Sequence, residues 1–262
     1  MGNANRDRNV LIVGETIDGR LSAGTRDLAG QARTLAQWFD ADPIGVLTGH
    51  DAEPVARQWS TTNRIPVIYL DHARCRHPNP CMTAAGIEPL VRESPPTAVC
   101  FPNSMRACQI AATLAWRLKA PCITAVESIA KAGDNFRFKR SVLGGRLWQT
   151  VATDARPILL TLLPGIFSGS SPPTLPDRSP RVTVRHLTHT DRRFTPLTVQ
   201  RPSEKGRDLV NARVIVAAGR GLGGPEYAVL LHEVAGIFKN ASVGSSRGAC
   251  DLGWLPHSRQ IG

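Results

Sequence analysis

Residues 213–224 read RVIVAAGRGLGG, an apolar run that passes directly into a glycine-rich turn. The run is rich in Val and Ile, as buried strands are, and residues 225–238 follow it with the pattern of a helix. Gly219, Gly221 and Gly224 satisfy the spacing G-x-G-x-x-G between the two. Glycines let the backbone approach a pyrophosphate, and the start of a helix offers free N–H groups. The stretch therefore predicts a strand–turn–helix unit that either binds a phosphate or is a tight turn without a ligand.

The second strand of this unit lacks the acidic residue of an NAD site. The strand is predicted over residues 241–244, and the chain continues with Ser245, Ser246 and Arg247. NAD sites place an Asp or Glu here to bind the ribose, whereas hydroxyls and a guanidinium suit a phosphate or a flavin that becomes anionic. One strand–helix–strand unit cannot close a dinucleotide-binding domain, so we expect something else to complete this sheet.

The first half of the chain alternates predicted strands and helices in the manner of an α/β protein. This alternation is typical of a doubly wound, mostly parallel sheet. A single helix is predicted over residues 25–39, and Ser104 is predicted to cap another helix. The predicted strands are residues 10–13, 44–47, 66–70, 97–101 and 122–126, and the remaining helices are residues 53–59 and 83–92.

The alternation stops near Phe136. Predicted strands then follow one another without helices, and we expect them to form an antiparallel edge or hairpin on the same sheet. They cover residues 136–140, 149–153 and 156–163. Residues 181–187 alternate apolar and polar side chains, which predicts a half-exposed strand. Residues 195–206 are a candidate linker, so we predict an N-terminal domain over residues 1–200 and a second unit over residues 206–262.

The formal net charge of +11 raises the question of a nucleic-acid partner. The arginines are scattered, however, and aromatic side chains that could stack on bases make up only 5% of the sequence. The densest group is Arg181, Arg185, Arg192, Arg193 and Arg201. We interpret the charge as a solvated basic surface and expect no nucleic-acid partner.

Other features bear on compartment and metal binding. The longest apolar stretch, residues 157–167, is shorter than the roughly 20 residues of a membrane span, and we expect no secretory signal, because the apolar run at residues 10–13 is too short for one. We therefore expect a cytoplasmic protein with free thiols and no membrane association. His72, Cys75, His77 and Cys81 have a spacing that could hold zinc, but prolines stiffen this segment, and we favour a surface loop and predict no metal site.

Three further motifs follow the glycine turn. They are GSSR over residues 244–247, DLGWLP over residues 251–256 and QIG over residues 260–262. Together with GRGL over residues 219–222, they resemble the FAD-binding section of the electron-transfer flavoprotein alpha subunit. The N-terminal part resembles the same family more loosely, in residues 10–36, 101–126 and 144–167. One departure is Leu163, which stands where the family has an arginine.

The resemblance implies a set of cofactor contacts and a redox role. Arg220 and Gly221 resemble the turn residues at the FAD phosphates or ribose, and Ser246 resembles a side chain that bonds FAD. Arg247 resembles a guanidinium against the isoalloxazine ring, where a fixed cation stabilises negative charge on the reduced ring. Ile261 and Gly262 resemble the start of the loop that wraps the flavin edge.

The resemblance also implies partners. It predicts an electron carrier rather than an enzyme. This carrier would hold FAD together with a beta subunit. Acyl-CoA or related dehydrogenases would supply the electrons, and a quinone oxidoreductase would receive them. The implied fold is a Rossmann-like, adenine-nucleotide-hydrolase-like N-terminal domain that docks the beta subunit, followed by an incomplete FAD-binding α/β domain. Since the family continues beyond the position of Gly262, we expect either a truncated chain or a separate polypeptide that supplies the remainder.

Two alternatives remain open at the level of sequence. The first is an NADP-dependent oxidoreductase that uses the turn at residues 219–224, with Arg247 on the 2′-phosphate. The second is a basic module that binds RNA or DNA.

Overall fold

The structure, a computed structural model, describes residues 8–17, 19–132, 135–166, 179–188, 195–198, 209 and 212–261. The chain divides into two compact units, residues 1–196 and 197–262. The helices of the described residues are α1 (Ala23–Gly30), α2 (Ala32–Trp38), α3 (Glu53–Asn63), α4 (Pro80–Glu93), α5 (Met105–Leu118), α6 (Ala228–Gly236) and α7 (Arg247–Asp251). The strands are β1 (Asn9–Gly14), β2 (Thr16–Ile17), β3 (Arg20–Leu21), β4 (Asp42–Gly49), β5 (Pro66–Asp71), β6 (Ala98–Pro102), β7 (Cys122–Val126), β8 (Ser128–Ala132), β9 (Asn135–Val142), β10 (Leu147–Thr153), β11 (Ile158–Leu162), β12 (Arg181–His186), β13 (Val214–Ala218) and β14 (Ala241–Ser245).

A seven-stranded sheet forms the centre of the first unit, in the order β12-β5-β4-β1-β6-β11-β7. Every pairing in it is parallel. The order runs from β1 to β4 and β5 on one side and from β1 to β6 on the other, which is the doubly wound arrangement. The predicted α/β fold class is confirmed, and the half-exposed strand over residues 181–187 is β12, paired with β5 at the edge.

Helices cover both faces of this sheet. Val10 and Ile12 of β1 pack with the apolar side chains of α1, α2 and α3 on one face. Leu11 and Val13 alternate with them and pack with α4 and α5 on the other. Successive side chains of a strand point to opposite faces, so a strand covered on both sides is apolar throughout.

The sequence prediction for the segment after Phe136 is wrong in part. The strands β8, β9 and β10 form a separate antiparallel sheet, in the order β10-β9-β8. Strand β11, expected at an antiparallel edge, instead lies inside the main sheet, parallel to β6 and β7. All of its residues are buried, as an apolar run between two helical layers must be. Strand β8 was not predicted.

The predicted helix over residues 25–39 is two helices. Ser22 caps α1, with its Oγ accepting from the Thr25 N–H at 3.1 Å. The break lies at Gln31, directly after Gly30, and glycine weakens a helix because it adds backbone freedom. The cap predicted at Ser104 is confirmed, since its Oγ accepts from the Ala107 N–H at 3.0 Å.

The second unit contains the parallel pair β13 and β14, with helix α6 packed on both strands. Within the described residues, Leu231, Val243 and Leu255 form a cluster of buried apolar side chains in this unit. The strand and helix predicted around the glycine turn are present, and a short 3₁₀ turn, Pro225–Tyr227, precedes α6. Across the residues that the structure describes, no helix has the length and apolarity needed to cross a bilayer.

Candidate functional site

The glycine turn leaves the end of β13 and folds back on itself at once. The Leu222 N–H donates to the Gly219 carbonyl at 3.0 Å, and the Gly223 N–H donates to the Arg220 carbonyl at 3.2 Å. Gly223 has a φ of +92°, a conformation that residues with a Cβ rarely adopt. The turn therefore presents its backbone at the carboxyl end of the strand, where phosphate-binding turns lie.

The ends of β13 and β14 lie side by side. Ala218 pairs with Ser245 across the two strands, and the Ser246 N–H donates to the Ala218 carbonyl at 3.0 Å. A Cβ on Gly219 would lie 3.5 Å from Ser246 Oγ. The first glycine of the turn and the hydroxyl after β14 are thus direct neighbours, although they lie 27 positions apart in the sequence.

Arg220 reaches across to the start of α7. A Cβ on Gly248 would lie 3.2 Å from Arg220 Cδ and 3.4 Å from its Nε. The absence of a side chain at Gly248 therefore gives the stem of Arg220 a place to lie. This contact was not predicted from the sequence, although the glycine directly after Arg247 was a signal that some group approaches closely there.

Arg247 begins α7 with 79% of its side chain exposed. Its Nε lies 3.4 Å from Asp251 Oδ2, while His257 Nε2 lies 3.9 Å from the other carboxylate oxygen. An exposed pair at such a distance contributes little to stability, so the guanidinium is available to an anionic ligand at modest cost.

The segment that ends with Gln260 and Ile261 lies alongside β14. The Ile261 N–H donates to the Ser245 carbonyl at 2.9 Å, and Gln260 bridges to the same residue in parallel register. A Cβ on Gly244 would lie 3.1 Å from Ile261 Cγ2, so the chain approaches the strand closely. Gly262, the last predicted contact, lies outside the described residues.

The geometry of the turn leaves room for a phosphate group. A Cβ on Gly221 would meet nothing within 4 Å, so space lies over the turn. In the part of the chain that the structure describes, no hydrogen bond engages Ser246 Oγ. The carboxylate of Glu226 lies against Gly224 and covers the third glycine. Approach to the turn is therefore open at Gly221 and closed at Gly224.

Other sequence candidates have structural roles. Arg185 pairs with Glu93 at 2.8 Å, and the backbone N–H of Arg181 donates to Ser60 Oγ, while Arg192, Arg193 and Arg201 lie outside the described residues. His72 Nδ1 accepts from the Arg74 N–H at 3.0 Å and starts a 3₁₀ turn. Among the described residues, no group of three His, Cys, Asp or Glu side chains is placed to hold a metal ion.

Comparison with known proteins covers nearly the whole chain. Residues 10–191 match the family model of the electron transfer flavoprotein domain, and residues 208–262 match that of the electron transfer flavoprotein FAD-binding domain. Relatives include the electron transfer flavoprotein subunit alpha of Bacillus subtilis, 28% identical over 97% of this chain and 77% of its own. The acryloyl-CoA reductase electron transfer subunit beta of Anaerotignum propionicum is 25% identical over 98% of this chain and 78% of its own. Protein FixB of Clostridium saccharobutylicum is 26% identical over 97% of this chain and 76% of its own. The chain belongs to the electron transfer flavoprotein alpha-subunit family.

Proposed function

We propose that this electron carrier holds one FAD together with a beta subunit and passes electrons from acyl-CoA or related dehydrogenases to a quinone oxidoreductase. The observation that carries the proposal is that the carboxyl ends of β13 and β14 lie side by side. Arg220, Ser246 and Arg247 follow β13 and β14 at one edge, in a stretch that matches an FAD-binding family model. FAD, when bound, supplies the redox chemistry.

Within this proposal, each residue of the chain has a separate role. The turn at Gly219–Gly221 offers N–H groups to phosphate oxygens, and Arg220, resting on Gly248, adds a cation beside them. Ser246 Oγ offers one hydrogen bond. Arg247 provides a positive charge at a strand end, where it favours negative charge on the ring.

The surface of α6 supports a protein partner. Its outer side carries five large apolar side chains: Val229, Leu230, Val234, Ile237 and Phe238, here called the α6 face, are each between 43% and 78% exposed. The opposite side of the helix supplies Leu231 to a core of three buried side chains. Several large apolar side chains exposed beside so small a cluster are typical of a protein interface. We assign the α6 face to the beta subunit, which we also expect to dock on the N-terminal domain.

Co-expression with the beta subunit tests the function. The purified complex is dialysed against FAD or NADPH, and the nucleotide that remains is identified after gel filtration. We expect one FAD per complex and no NADPH. Retention of NADPH in place of FAD would favour the oxidoreductase alternative, and retention of neither would contradict cofactor binding.

A further inference from the structure

A cavity of about 360 Å³ lies in the first unit, at the edge of the main sheet where its strands begin. Its lining includes Arg8, directly before β1, and Arg156, two residues before β11. Both strands pair in parallel with β6, so their starts share this edge. The ligand crevice of open α/β sheets lies at the other edge, where the strands end. A ligand in this cavity would therefore be separate from that crevice.

Backbone hydrogen bonds join the strand starts around the cavity. The Arg8 carbonyl accepts from the Asp42 N–H at 2.8 Å, which links the start of β1 to that of β4. The Thr97 N–H donates to the Asn9 carbonyl at 2.7 Å, and the Thr97 carbonyl accepts from the Ile158 N–H at 3.2 Å. The two arginines of the lining therefore extend from backbone that the sheet holds in place.

Phe136 of β9 gives the cavity an apolar side. Its ring is buried, and the ring centroid lies 4.7 Å from that of Phe39, which also lines the cavity. The guanidinium carbon of Arg156 lies 5.2 Å from the Phe136 centroid, within the range of a cation–π contact. Lys131 pairs with Phe136 across β8 and β9, and side chains paired in this way lie on the same face of a sheet. Two cations thus lie beside one aromatic ring.

The lining carries more positive than negative charge. Arg8, Lys131 and Arg156 are exposed cations of the lining, and within the described part of the chain none of them forms a salt bridge. Arg156 Nη1 donates to the carbonyl of its neighbour Ala155 at 3.4 Å, which leaves its other N–H groups for a ligand. Asp40 is the acid among the described lining residues. The lining therefore has a formal charge of +2.

The position of Arg156 is unfavourable for a cation without a counterion. Burial lowers the pKa of its guanidinium, the positive charge of Arg8 lowers this pKa further, and Asp154 offsets part of the effect. Arginine stays charged nevertheless, because its ordinary pKa is so high. A bound anion would offset both the repulsion between the two arginines and the loss of solvent around Arg156.

We propose that this cavity binds a phosphoryl group, of free phosphate or of a small phosphate monoester, with Arg8 and Arg156 at its oxygens and Lys131 as a third cation. A phosphate monoester carries a charge of about −1.5 to −2 at pH 7, which matches the charge of the lining. A planar guanidinium can donate two parallel N–H groups to a phosphate. The volume is at the small end of the range for ligand pockets, about 300–1,000 Å³, and so fits a small ligand. The site uses no residue of the proposed flavin site.

Titration calorimetry of the full chain, in a buffer free of phosphate and sulfate, tests this with inorganic phosphate, phenyl phosphate and succinate as separate ligands. We expect saturable binding of phosphate, at least about tenfold tighter than that of succinate, a dicarboxylate, because two guanidinium groups match phosphoryl geometry. Tighter binding of phenyl phosphate than of phosphate would identify an organic monoester as the ligand, and equal binding would identify free phosphate. Absence of saturable phosphate binding, or equally tight binding of succinate, would overturn the proposal.

Charge-matched variants locate the binding. Arg8→Gln and Arg156→Gln are each expected to weaken phosphate binding about tenfold, and Arg156→Lys, which keeps the charge but not the planar donors, to weaken it less. Arg137→Gln is the control, because Arg137 is exposed and alternates with the buried Phe136 on β9, so its side chain lies on the other face. It should leave the affinity unchanged, and melting curves show whether each variant is folded. Equal weakening by Arg137→Gln and Arg156→Gln would indicate attraction to net charge alone and would overturn the proposal.

Arg220→Gln separates this cavity from the glycine turn of the second unit, where we also expect a phosphate group. A loss of phosphate binding with Arg156→Gln and its retention with Arg220→Gln would support the cavity as the site. A loss with Arg220→Gln but not with Arg156→Gln would place the ion at the turn and overturn the proposal.

Discussion

At the scale of single residues, Trp59 shows how closely the first unit is packed. The side chain is 1% exposed, and its ring covers two glycines on neighbouring strands, Gly14 and Gly45. A Cβ on Gly14 would lie 2.7 Å from the ring, closer than atoms can pack. The sheet thus accommodates an indole on this face only because two strand positions carry no side chain.

We expect Gly14→Ala to lower the free energy of unfolding by about 1–3 kcal/mol, because it overpacks a filled core. Gly30→Ala is the matched control, since a Cβ there would meet nothing within 4 Å. It should leave stability unchanged or raise it by up to about 1 kcal/mol. Urea denaturation measures both, and equal effects of the two substitutions would refute the close packing.

Tyr69 links β5 to the start of α3. Its hydroxyl accepts from the Ala52 N–H and donates to Asp71 Oδ1, both at 2.9 Å. Burial, reinforced by the bond to Asp71, raises the pKa of this phenol well above its usual range. The folded protein therefore holds this proton more tightly than the unfolded chain does.

The raised pKa of Tyr69 in the folded protein fixes the direction in which its contribution to stability changes with pH. The contribution of Tyr69 to stability is intact below the ordinary phenol pKa of about 10 and is lost as the pH rises above it. In Tyr69→Phe the fall of stability above that pH should be shallower, and at neutral pH the variant should lose about 1–2 kcal/mol with the two hydrogen bonds. Denaturation midpoints over alkaline pH measure this, and identical slopes would contradict it.

Arg247 is the residue that should set the redox behaviour. In the complex with the beta subunit, Arg247→Gln would remove the positive charge that we propose lies beside the flavin, and it should lower the midpoint potential. Hydrogen bonds to charged groups contribute about 1.5–3 kcal/mol, which corresponds to about 30–60 mV for two electrons. Spectroelectrochemical titration measures the shift. Arg247→Lys keeps the charge and should shift the potential less, so equal shifts in the two variants would argue against a charge effect.

At the scale of elements, α6 differs from an ordinary surface helix, which exposes mainly polar side chains. Its inner side holds Leu231, whereas the α6 face leaves large apolar side chains in solvent. Leu230, in the middle of that face, is 49% exposed. About half of this side chain is in solvent, so a lysine there can place its ammonium in water.

Leu230→Lys should leave the melting temperature of the isolated chain nearly unchanged and weaken the complex with the beta subunit about tenfold or more, because it places a charge in an apolar interface. Thr61→Lys, on the exposed side of α3, is the control and should leave the affinity unchanged. Analytical ultracentrifugation of the mixed subunits provides the measurement. Unchanged affinity of Leu230→Lys would show that the α6 face is not the interface.

Local signals predicted some elements well and others poorly. The glycine turn, the strand before it and the cap at Ser104 were predictable because each depends on neighbours in sequence. The placement of β11 was not, because an apolar run such as Ile158–Leu162 fits an edge hairpin and a buried parallel strand equally until its partners are known. The contact of Arg220 with Gly248 joins two segments, and no local pattern specifies it.

At the scale of the whole molecule, the two units differ in how much they bury. The first has two extensive clusters on the two faces of its sheet, whereas the second has one cluster of three buried apolar side chains in its described part. Since burial of apolar surface provides most of the stability of a fold, the first unit can fold around its own core. The second carries the predicted cofactor residues and depends more on what binds it.

The central claim is that the turn after β13 receives the FAD phosphates. Gly221→Leu tests it most directly, because a side chain at this position meets no protein atom within 4 Å and would instead fill the space over the turn. The measurement is the FAD content of the purified complex with the beta subunit, with Gly30→Leu as the control for a leucine at another open glycine. We predict one FAD per complex for the unmodified chain and for Gly30→Leu, and little or none for Gly221→Leu. Equal flavin content in all three, or no flavin in any of them, would contradict the assignment.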